Sequence, residues 1–484
     1  MTRYQMWIAG KWVDAGSGKT FPLYNPANGE EIAQLPLGGK EDVDQAVAAA
    51  RAAFPAWSQK PQAERSQIAM KIAALIRDNA KELGRIETID HGTPTKAAPI
   101  LAASTATRFE WAAYNARSLM GHTIPSNSSE LVYLQREPVG VIAIVTPWNF
   151  PMGMIIGKLA PALTLGNTCI IKPPSIDSLS ALKLAELLAQ LELPPGVVNV
   201  ITGPGAPVGG ALSSHRGVDM VAFTGSSEVG KEIMVAASRS VKRLQLELGG
   251  KNPVIVLDDA DVDTAANVMA VRQFSNSGQI CSSPGRFYIH EKVYDQFLKK
   301  FAKAAMSVVV GDPADEKTEM GPVVSAEHRN SIEAYIKSAV EEGANVVLGG
   351  TRPSHPTLKD GYYVMPTIVT NITQNMKVAR EEIFGPVACF MEKFNSDEKV
   401  IAMANDNIYG LAAYVWTKDT TRGMRFANRI QAGTVWLNNT YKQGPELPWG
   451  GFKESGVGIE GSLYGLLEYT NLKRVQVDLA NPGK

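Results

Sequence analysis

Hydrophobic and polar positions follow different patterns in successive parts of this 484-residue chain. In the first 40 residues, short apolar stretches surround glycines, which predicts short strands joined by turns. Ala, Leu and Ile then recur at spacings of three and four residues over roughly 41–58, 62–90 and 97–118, which predicts long amphipathic helices. The chain is therefore expected to begin with strands and to continue as helices.

Between residues 139 and 259, apolar residues form short continuous runs separated by helical segments near 178–192 and 228–240. Apolar strands that alternate with helices are typical of a parallel sheet covered on both faces. Such a sheet binds nucleotides at the carboxyl ends of its strands. The predicted strands are Val141–Val145, Cys169–Lys172, Val197–Ile201, Met220–Phe223, Leu244–Leu248 and Pro253–Leu257.

A second mixed α/β region follows from about 250 to 450. Its predicted elements are helices near 262–275, 291–308, 325–342 and 396–406, with strands such as Val346–Leu348 and Ala413–Trp416. Two further segments, Leu131–Gln135 and Val475–Leu479, alternate as exposed strands do. Because a strand needs an edge to pair with, these two form a small sheet with each other or between subunits, or else two separate surface strands.

Charge and cysteine content exclude several classes of function. Lys plus Arg and Asp plus Glu each total 48, so no basic excess indicates nucleic acid or an anionic membrane as partner. The three cysteines have no CxxC or histidine-rich companion, which argues against disulfides and metal sites and favours a reducing cytoplasm.

The amino terminus lacks an export signal. The uncharged stretch 138–157 contains two prolines and an asparagine in its middle, which favours a buried strand and loop over a membrane span.

Cys281 is the most reactive candidate in the chain. It lies in a polar, glycine-flanked segment, Asn276–Ser283, where a thiol can be presented to a ligand as a covalent nucleophile. The alternative is a half-buried loop cysteine without chemistry. None of the six histidines lies in a motif-like context, so a Cys/His hydrolase is not favoured.

Two other polar residues are candidate partners for this thiol. Glu247 is a charge within an apolar strand that ends in two glycines, and its apolar surroundings would raise its pKa into the range of a general base. The alternative is a strand-end carboxylate that points to solvent or pairs with Lys251. Asn149, held between Pro147 and Pro151, could donate a hydrogen bond to an oxyanion or could support its own turn.

Nucleotide-binding signals are present but incomplete. The stretch 203–209 resembles GxGxxG, except that Val208 replaces the third glycine. A second glycine turn, 223–228, follows a predicted strand and opens a helix, so its N–H groups could hold a phosphate. Lys172 is the last residue of another predicted strand, where its ammonium could bind a ribose or a phosphate.

Seven segments that occur in one order along nearly the whole chain resemble the aldehyde dehydrogenase superfamily. They are Pro147–Pro151, Ile171–Pro173, Phe223–Gly230, Leu246–Lys251, Gly278–Cys281, Glu382–Pro386 and Pro448–Gly451. The resemblance implies a Rossmann-like parallel-sheet cofactor domain (1–117 and 139–249), a second α/β catalytic domain (250–450) and a small β arm for oligomerisation (118–138 and 466–484). The expected assembly is a homodimer or homotetramer in the cytoplasm.

The resemblance also implies a mechanism. Cys281 attacks the aldehyde carbon, the Asn149 amide and the Cys281 N–H stabilise the oxyanion, and Glu247 activates the water that hydrolyses the resulting thioester. NAD(P) accepts the hydride. The residues implied in cofactor binding are Val145, Thr146, Trp148, Lys172, Ser175, Gly205, Val208, Phe223, Gly225, Ser226, Glu382 and Phe384.

Cofactor and substrate preference rest on two departures from relatives. Ser175 stands where many NAD-preferring members have a glutamate. The absence of that glutamate removes repulsion against a 2′-phosphate, so NADP is expected to be preferred and NAD to be possible.

Gly157 stands where some relatives carry a large aromatic residue or an arginine, which predicts a roomier tunnel without a cation. The substrate is then an apolar or aromatic aldehyde. The residues expected to line the tunnel are Phe150, Met154, Gly157, Gln443 and Trp449.

Three other functions compete with this interpretation. An acylating enzyme would pass the acyl group to coenzyme A, but such relatives generally lack a base at the position of Glu247. A cysteine esterase without a redox step would not need Lys172, Ser226 and Glu382. A catalytically silent protein of this fold would not need Cys281 and Asn149.

Overall fold

Two large sheets organise the chain, which the computed structural model describes over residues 2–440 and 444–480. The predicted α/β class is confirmed, because strands and helices alternate along most of the chain. The elements up to residue 247 are β1 (Thr2–Arg3), β2 (Met6–Ile8), β3 (Lys11–Val13), β4 (Thr20–Tyr24), β5 (Glu31–Pro36), α1 (Lys40–Gln59), α2 (Gln62–Asp78), α3 (Ala80–Asp90), α4 (Ala98–Ala116), β6 (His122–Asn127), β7 (Glu130–Pro138), β8 (Val141–Val145), α5 (Pro151–Thr164), β9 (Thr168–Lys172), α6 (Leu179–Leu188), β10 (Val198–Val200), α7 (Gly210–Ser214), β11 (Met220–Thr224), α8 (Ser227–Ser238) and β12 (Arg243–Glu247).

The remaining elements build the second half of the molecule. They are β13 (Asn252–Val256), α9 (Val262–Phe274), β14 (Pro284–Ile289), α10 (Tyr294–Met306), α11 (Ala326–Glu341), β15 (Asn345–Leu348), β16 (Thr367–Ile372), α12 (Lys377–Arg380), β17 (Val387–Met391), α13 (Asp397–Asn405), β18 (Tyr409–Gly410), β19 (Ala412–Trp416), α14 (Thr420–Arg429), β20 (Thr434–Leu437), β21 (Phe452–Lys453), β22 (Gly456–Val457), α15 (Ser462–Glu468) and β23 (Thr470–Asp478). Side-chain oxygens cap several helix starts by accepting the N–H three residues later. These caps are Ser226, Asp261, Ser325, Ser396 and Asp419.

Within the described residues, the first sheet has the order β22-β12-β11-β8-β9-β10-β2-β3. Its central strands β12, β11, β8, β9 and β10 run parallel, while β2, β3 and β22 are antiparallel additions at the edges. Side chains of β8 alternate between two hydrophobic cores: Ile142 and Ile144 pack with α2, α4 and α5, whereas Val141 and Ala143 pack with α1. The sheet is therefore covered on both faces, as the continuous apolar strands predict.

The second sheet has the order β15-β16-β17-β14-β13-β19-β20 among the described residues, with only β15 antiparallel to its neighbour. It is also covered on both faces. Strand β12 ends at Glu247 in the first sheet and β13 begins at Asn252 in the second. The short connection between them places the carboxyl edge of the first sheet next to the amino edge of the second.

The two exposed strands pair with each other, in antiparallel register from Thr470 opposite Pro138 to Asp478 opposite Glu130. Strand β6 completes this arm as a three-stranded sheet. The interpretation as separate surface strands was therefore wrong. Both outer strands, β6 and β23, are largely exposed.

One long helix predicted over 62–90 is wrong as a single element. The helix ends at Asp78 and a second begins at Ala80. Asn79 lies between them with φ −103° and ψ 13°, and its Nδ2 donates to the Leu75 carbonyl at 2.9 Å. An asparagine side chain competes with the backbone for such acceptors, which favours a helix end. In the described part of the chain, no helix has the length and apolar character that crossing a bilayer requires.

Candidate active site

Cys281 lies at the end of a tightly held loop between α9 and β14. Asn276 and Ser277 adopt left-handed backbone conformations, with φ of 49° and 55°. The Ser277 hydroxyl donates to the Gly321 carbonyl at 2.8 Å, and the Asn252 amide donates to the Cys281 carbonyl at 2.8 Å. Strained backbone persists where surrounding contacts fix it, and such positions cluster at functional sites.

Gly278 places this loop against the segment 382–386. Its φ is +73°, and a Cβ at this position would stand 2.1 Å from the Gly385 carbonyl oxygen. On the neighbouring helix, Gln273 donates from Nε2 to the carbonyls of Gly385 and Val387, at 3.3 Å each. The Cys281 loop and the predicted cofactor segment therefore form one packed unit.

Asn149 contacts the Cys281 loop directly. Its buried Nδ2 donates to the Gln279 carbonyl at 2.9 Å, and its own carbonyl accepts from Asn276 Nδ2 at 2.7 Å. An amide nitrogen carries two N–H groups. One N–H holds the Asn149 side chain beside Cys281, and the other can donate a hydrogen bond to an oxyanion formed there.

Glu87 was missed in the sequence analysis. Its Oε1 accepts the Met152 N–H at 3.1 Å, at the start of helix α5 and three residues after Asn149. Burial raises the pKa of Glu87 to about 7. The available signal was its spacing with Leu83 and Asp90 along the buried face of α3.

Glu247 is buried at the carboxyl end of β12 and faces the same cavity as Cys281. Burial raises its pKa to about 8, while the Lys158 ammonium and the Trp449 side chain act in the opposite direction. Within the described residues, neither carboxylate oxygen accepts a hydrogen bond of ordinary geometry. The interaction of Trp449 with this carboxyl is therefore longer or less well aligned than an ordinary hydrogen bond. The predicted alternative, an ion pair with Lys251, does not occur among the described residues.

Cys281 is half-buried and lines the cavity that Glu247 also faces. Burial, followed by the carboxyls of Glu382 and Glu247, raises its pKa to about 12, while Arg272 acts in the opposite direction. The thiol is therefore protonated in the protein alone near neutral pH. That proton has to leave as the sulfur attacks an aldehyde carbon.

A cavity of about 470 Å³ contains this chemistry. Of the residues expected to line the tunnel, Phe150, Met154 and Trp449 do so, together with Cys281 and Glu247. Gln443 lies outside the described residues. Gly157 lines a much smaller neighbouring cavity of about 20 Å³ instead.

The roomier tunnel without a cation, predicted from Gly157, does not match the structure. The Arg108 guanidinium, from helix α4, lies with Nη1 3.4 Å from the point where a Gly157 Cβ would stand. Arg108 also lines the Cys281 cavity. The space left by the missing side chain is thus occupied by a cation from another helix, which local sequence around residue 157 does not show.

The predicted cofactor residues meet at the carboxyl edge of the first sheet. Val145 is in register with Lys172 on one side and Phe223 on the other. Lys172 is buried, and burial alone lowers its pKa to about 8 because no carboxylate of the described residues compensates its charge. An anionic group bound at this edge would supply that compensation, which fits a dinucleotide.

The glycine turns give mixed results. The Gly225 N–H donates to the Glu247 carbonyl at 3.0 Å, so this donor is not available to a phosphate, contrary to expectation. Ser226 caps α8 by accepting the Val229 N–H at 3.3 Å. Gly205 opens a helical turn that ends at Gly209, with open space beside its Cα, and Val208 is buried below.

Glu382 and Phe384 lie beside the turn after β12. Glu382 Oε1 accepts the Gly250 N–H at 3.0 Å. Phe384 has φ +56°, and its ring is perpendicular to that of Trp148 with centroids 5.2 Å apart. Two further predicted cofactor contacts lie on the loops that follow β8 and β9. They are Thr146, which is buried, and Ser175, which is half-buried. His328, which the sequence analysis missed, holds the Phe384 carbonyl at 2.8 Å through Nε2.

Comparison with known proteins agrees with this geometry. The model of the "Aldehyde dehydrogenase family" matches residues 12–475. A betaine aldehyde dehydrogenase of Bacillus subtilis (strain 168) is 41% identical over 476 residues, covering 97% of this chain and 96% of the relative. Betaine aldehyde dehydrogenase 1 of Oryza sativa subsp. japonica is 41% identical over 483 residues, covering 98% and 95%.

Solved structures give the same result. A crystal structure from Burkholderia cenocepacia, described as an aldehyde dehydrogenase, has a TM-score of 0.97 at 40% identity and covers 100% of this chain and 99% of its own. Betaine aldehyde dehydrogenase of Staphylococcus aureus in complex with NAD+ has a TM-score of 0.96 at 38% identity, covering 99% and 95%. The activity is NAD(P)-dependent oxidation of an aldehyde to the acid, and neither acyl transfer to coenzyme A nor redox-free hydrolysis is favoured. The chain belongs to the aldehyde dehydrogenase family.

Proposed function

We propose that Cys281 is the nucleophile, Asn149 the oxyanion donor and Glu247 the general base of this aldehyde oxidation. The supporting observation is that Cys281 and Glu247 face one cavity while the Asn149 amide is fixed to the loop that carries Cys281. NAD(P), when bound, supplies the acceptor for the hydride. The bond formed first is between Cys281 Sγ and the aldehyde carbon, and the S–H bond breaks as the thiol proton passes to solvent water.

In the second half of the reaction Glu247 is the base. After oxidation the acyl group is a thioester on Cys281, and Glu247 takes a proton from water as that water attacks the carbonyl carbon. The C–S bond then breaks, the acid leaves, and the proton held by Glu247 returns to the sulfur of Cys281. Because the charged form of Glu247 is needed, hydrolysis is expected to accelerate as the pH rises through about 8.

The decisive experiment follows reduced-cofactor absorbance with a panel of aldehydes, with and without coenzyme A, for the native enzyme and Glu247→Gln. The variant should give a rapid burst of about one reduced cofactor per active site and then a steady rate about 100- to 10,000-fold below native, because only the base is lost. Intact-protein mass should show the acylated enzyme. No cofactor reduction with any aldehyde would contradict the dehydrogenase assignment. A Glu247→Gln variant without a burst would contradict only the role of Glu247.

The same proposal extends to the cofactor: NADP is preferred and NAD accepted. Lys172 offers a buried cation at the sheet edge, and Ser175, half-buried on the loop after β9, brings no carboxylate that would repel a 2′-phosphate. Solved relatives are described as NAD+ complexes, so both cofactors need to be measured. A kcat/KM with NADP well below that with NAD would contradict the preference. Ser175→Glu should lower kcat/KM for NADP more than for NAD.

The reacting part of the substrate is proposed to be apolar or aromatic. Phe150, Met154, Trp449, Leu101 and Ile280 give the cavity apolar walls near Cys281. Recognition of a quaternary ammonium uses a cage of aromatic rings. The described part of this cavity has two aromatic side chains, Phe150 and Trp449, and contains the Arg108 cation. Betaine aldehyde should therefore be a poorer substrate than benzaldehyde, although relatives carry its name.

Assembly and location belong to the same proposal. The edge strand β23 is nine residues long and largely exposed, which makes it available for pairing with a second copy in a homodimer or homotetramer. Light scattering after gel filtration measures the mass directly. A monomeric mass would contradict the assembly. The free thiols fit a reducing cytoplasm, which cell fractionation tests.

A further inference from the structure

Arg108 lies where it can contact the end of a substrate that is remote from the aldehyde group. It comes from helix α4, far in sequence from every motif of the active site, and lines the cavity that contains Cys281 and Glu247. Gly157 makes this position possible. A Cβ there would already be in contact with Arg108 Nη1 at 3.4 Å, so a bulky side chain at residue 157 would compete with the guanidinium for this space.

The charges around Arg108 favour an anion rather than a cation. Glu460 is the nearby acid, with Oε2 3.8 Å from the same point beside Gly157. Its Oε1 is paired with the fully buried ammonium of Lys158. The acid beside Arg108 is thus already paired with Lys158, so the Arg108 guanidinium can attract an anion in the cavity that it lines. A guanidinium also has five N–H donors in a fixed fork, so it can hold existing neighbours and still accept a carboxylate.

We propose, on the basis of the proposed aldehyde oxidation, that Arg108 selects aldehydes that carry a carboxylate at the end opposite the carbonyl. The walls near Cys281 receive an apolar or aromatic spacer, and Arg108 pairs with the terminal carboxylate. A cavity of about 470 Å³ is within the range that accommodates a substituted aromatic ring. Arg108 is thus a specificity-determining residue, supplied by α4 in the space that Gly157 leaves open.

The test compares pairs of aldehydes that differ only in the remote carboxylate: benzaldehyde with 4-carboxybenzaldehyde, and hexanal with 6-oxohexanoate. For the native enzyme, kcat/KM should favour the carboxylated member of at least one pair by about 10-fold or more, mainly through KM. Arg108→Met should reduce that ratio by about 30-fold, because a charge-assisted pair is lost. Arg108→Lys keeps the charge without the fork and should fall between.

A matched control removes the same charge at the exposed end of the same helix: Arg117→Met. This variant should leave the substrate ratio as in the native enzyme. A native enzyme that prefers the uncharged member of both pairs overturns the proposal without any variant, and so does an unchanged ratio in Arg108→Met. If Arg108→Met does not fold, the ratio in Arg108→Lys decides. Absence of turnover with every aldehyde would instead contradict the proposed function itself.

Discussion

The two ends of the substrate cavity are held together by different interactions. At the Cys281 end, amide side chains and backbone carbonyls bond to each other, as Asn149 does to Gln279 and Asn252 to the Cys281 carbonyl. At the Arg108 end, charged side chains from three separate segments meet, with Lys158 paired to Glu460. Neutral hydrogen bonds fix a geometry, whereas charged groups set which partners are favoured. Substitutions at the Cys281 end should therefore lower activity. Substitutions at the Arg108 end should instead change the substrate preference and the pH dependence of the enzyme.

The largest expected effect comes from the nucleophile. Cys281→Ala should lower kcat by about 10,000-fold or more, because no thioester can form. Reduced-cofactor absorbance with a good aldehyde measures this. Cys389→Ala, a change of a buried cysteine in strand β17, is the control and should retain dehydrogenase activity. An active Cys281→Ala enzyme would overturn the covalent mechanism.

The contrast between the two ends also explains which residues could be predicted. Cys281, Glu247 and Asn149 lie in short segments whose neighbours predict the roles proposed for them: glycines, prolines and an apolar strand. Strands that form short apolar runs, such as Val141–Val145 in the first sheet and Ala412–Trp416 in the second, were predictable for the same reason, since local periodicity reports burial. Arg108, Lys158 and Glu460 have no such neighbours. Their meeting depends on how α4 and α5 pack against the segment before α15, which no local pattern encodes.

Gly157 shows the same limit within one residue. A missing side chain indicates space only if nothing from elsewhere fills it, and here Arg108 fills it. Asn79 is a milder case, because the apolar periodicity continues across it while its side chain ends the helix. For Gly157 the deciding contact comes from a distant helix, whereas for Asn79 it is made by the asparagine itself, whose preference for helix ends is a local signal.

The second prediction tests how rigid the Cys281 end is. Gly278→Ala would bring a Cβ to 2.1 Å from the Gly385 carbonyl oxygen at φ +73°, so the loop must move. We expect a loss of kcat/KM of about 100-fold, since small displacements of reacting groups are costly. Gly343→Ala, at φ +99° with nothing within 4 Å, carries the backbone strain without the clash and is the matched control. Equal losses in both variants would show that strain alone, not the contact with Gly385, matters.

The third prediction concerns the charged end and pH. Lys158 lowers the pKa of Glu247 from a distance, against the effect of burial. Lys158→Met combined with Glu460→Gln removes both charges of that pair, so the pKa of Glu247 should rise. Since hydrolysis needs the charged carboxylate, the acidic limb of the kcat profile should move to higher pH. A limb that stays in place or moves to lower pH would show that Lys158 does not act on the base.

The smallest expected effect is at Glu87, which supports the Asn149 loop through a single hydrogen bond to the Met152 N–H. Glu87→Gln keeps an acceptor oxygen and should lower kcat by only about threefold, whereas Glu87→Ala leaves a buried N–H without its partner and should lower kcat by about 10-fold. If Glu87 acts by positioning Asn149, KM should change little in either variant, because the oxyanion forms only after substrate has bound. Glu82→Gln, a change at a half-buried carboxylate of the same helix that pairs with Arg85, is the control. Equal effects of Gln and Ala would mean that the charge of Glu87, rather than its acceptor oxygen, serves the reaction, since only the charge is lost in both.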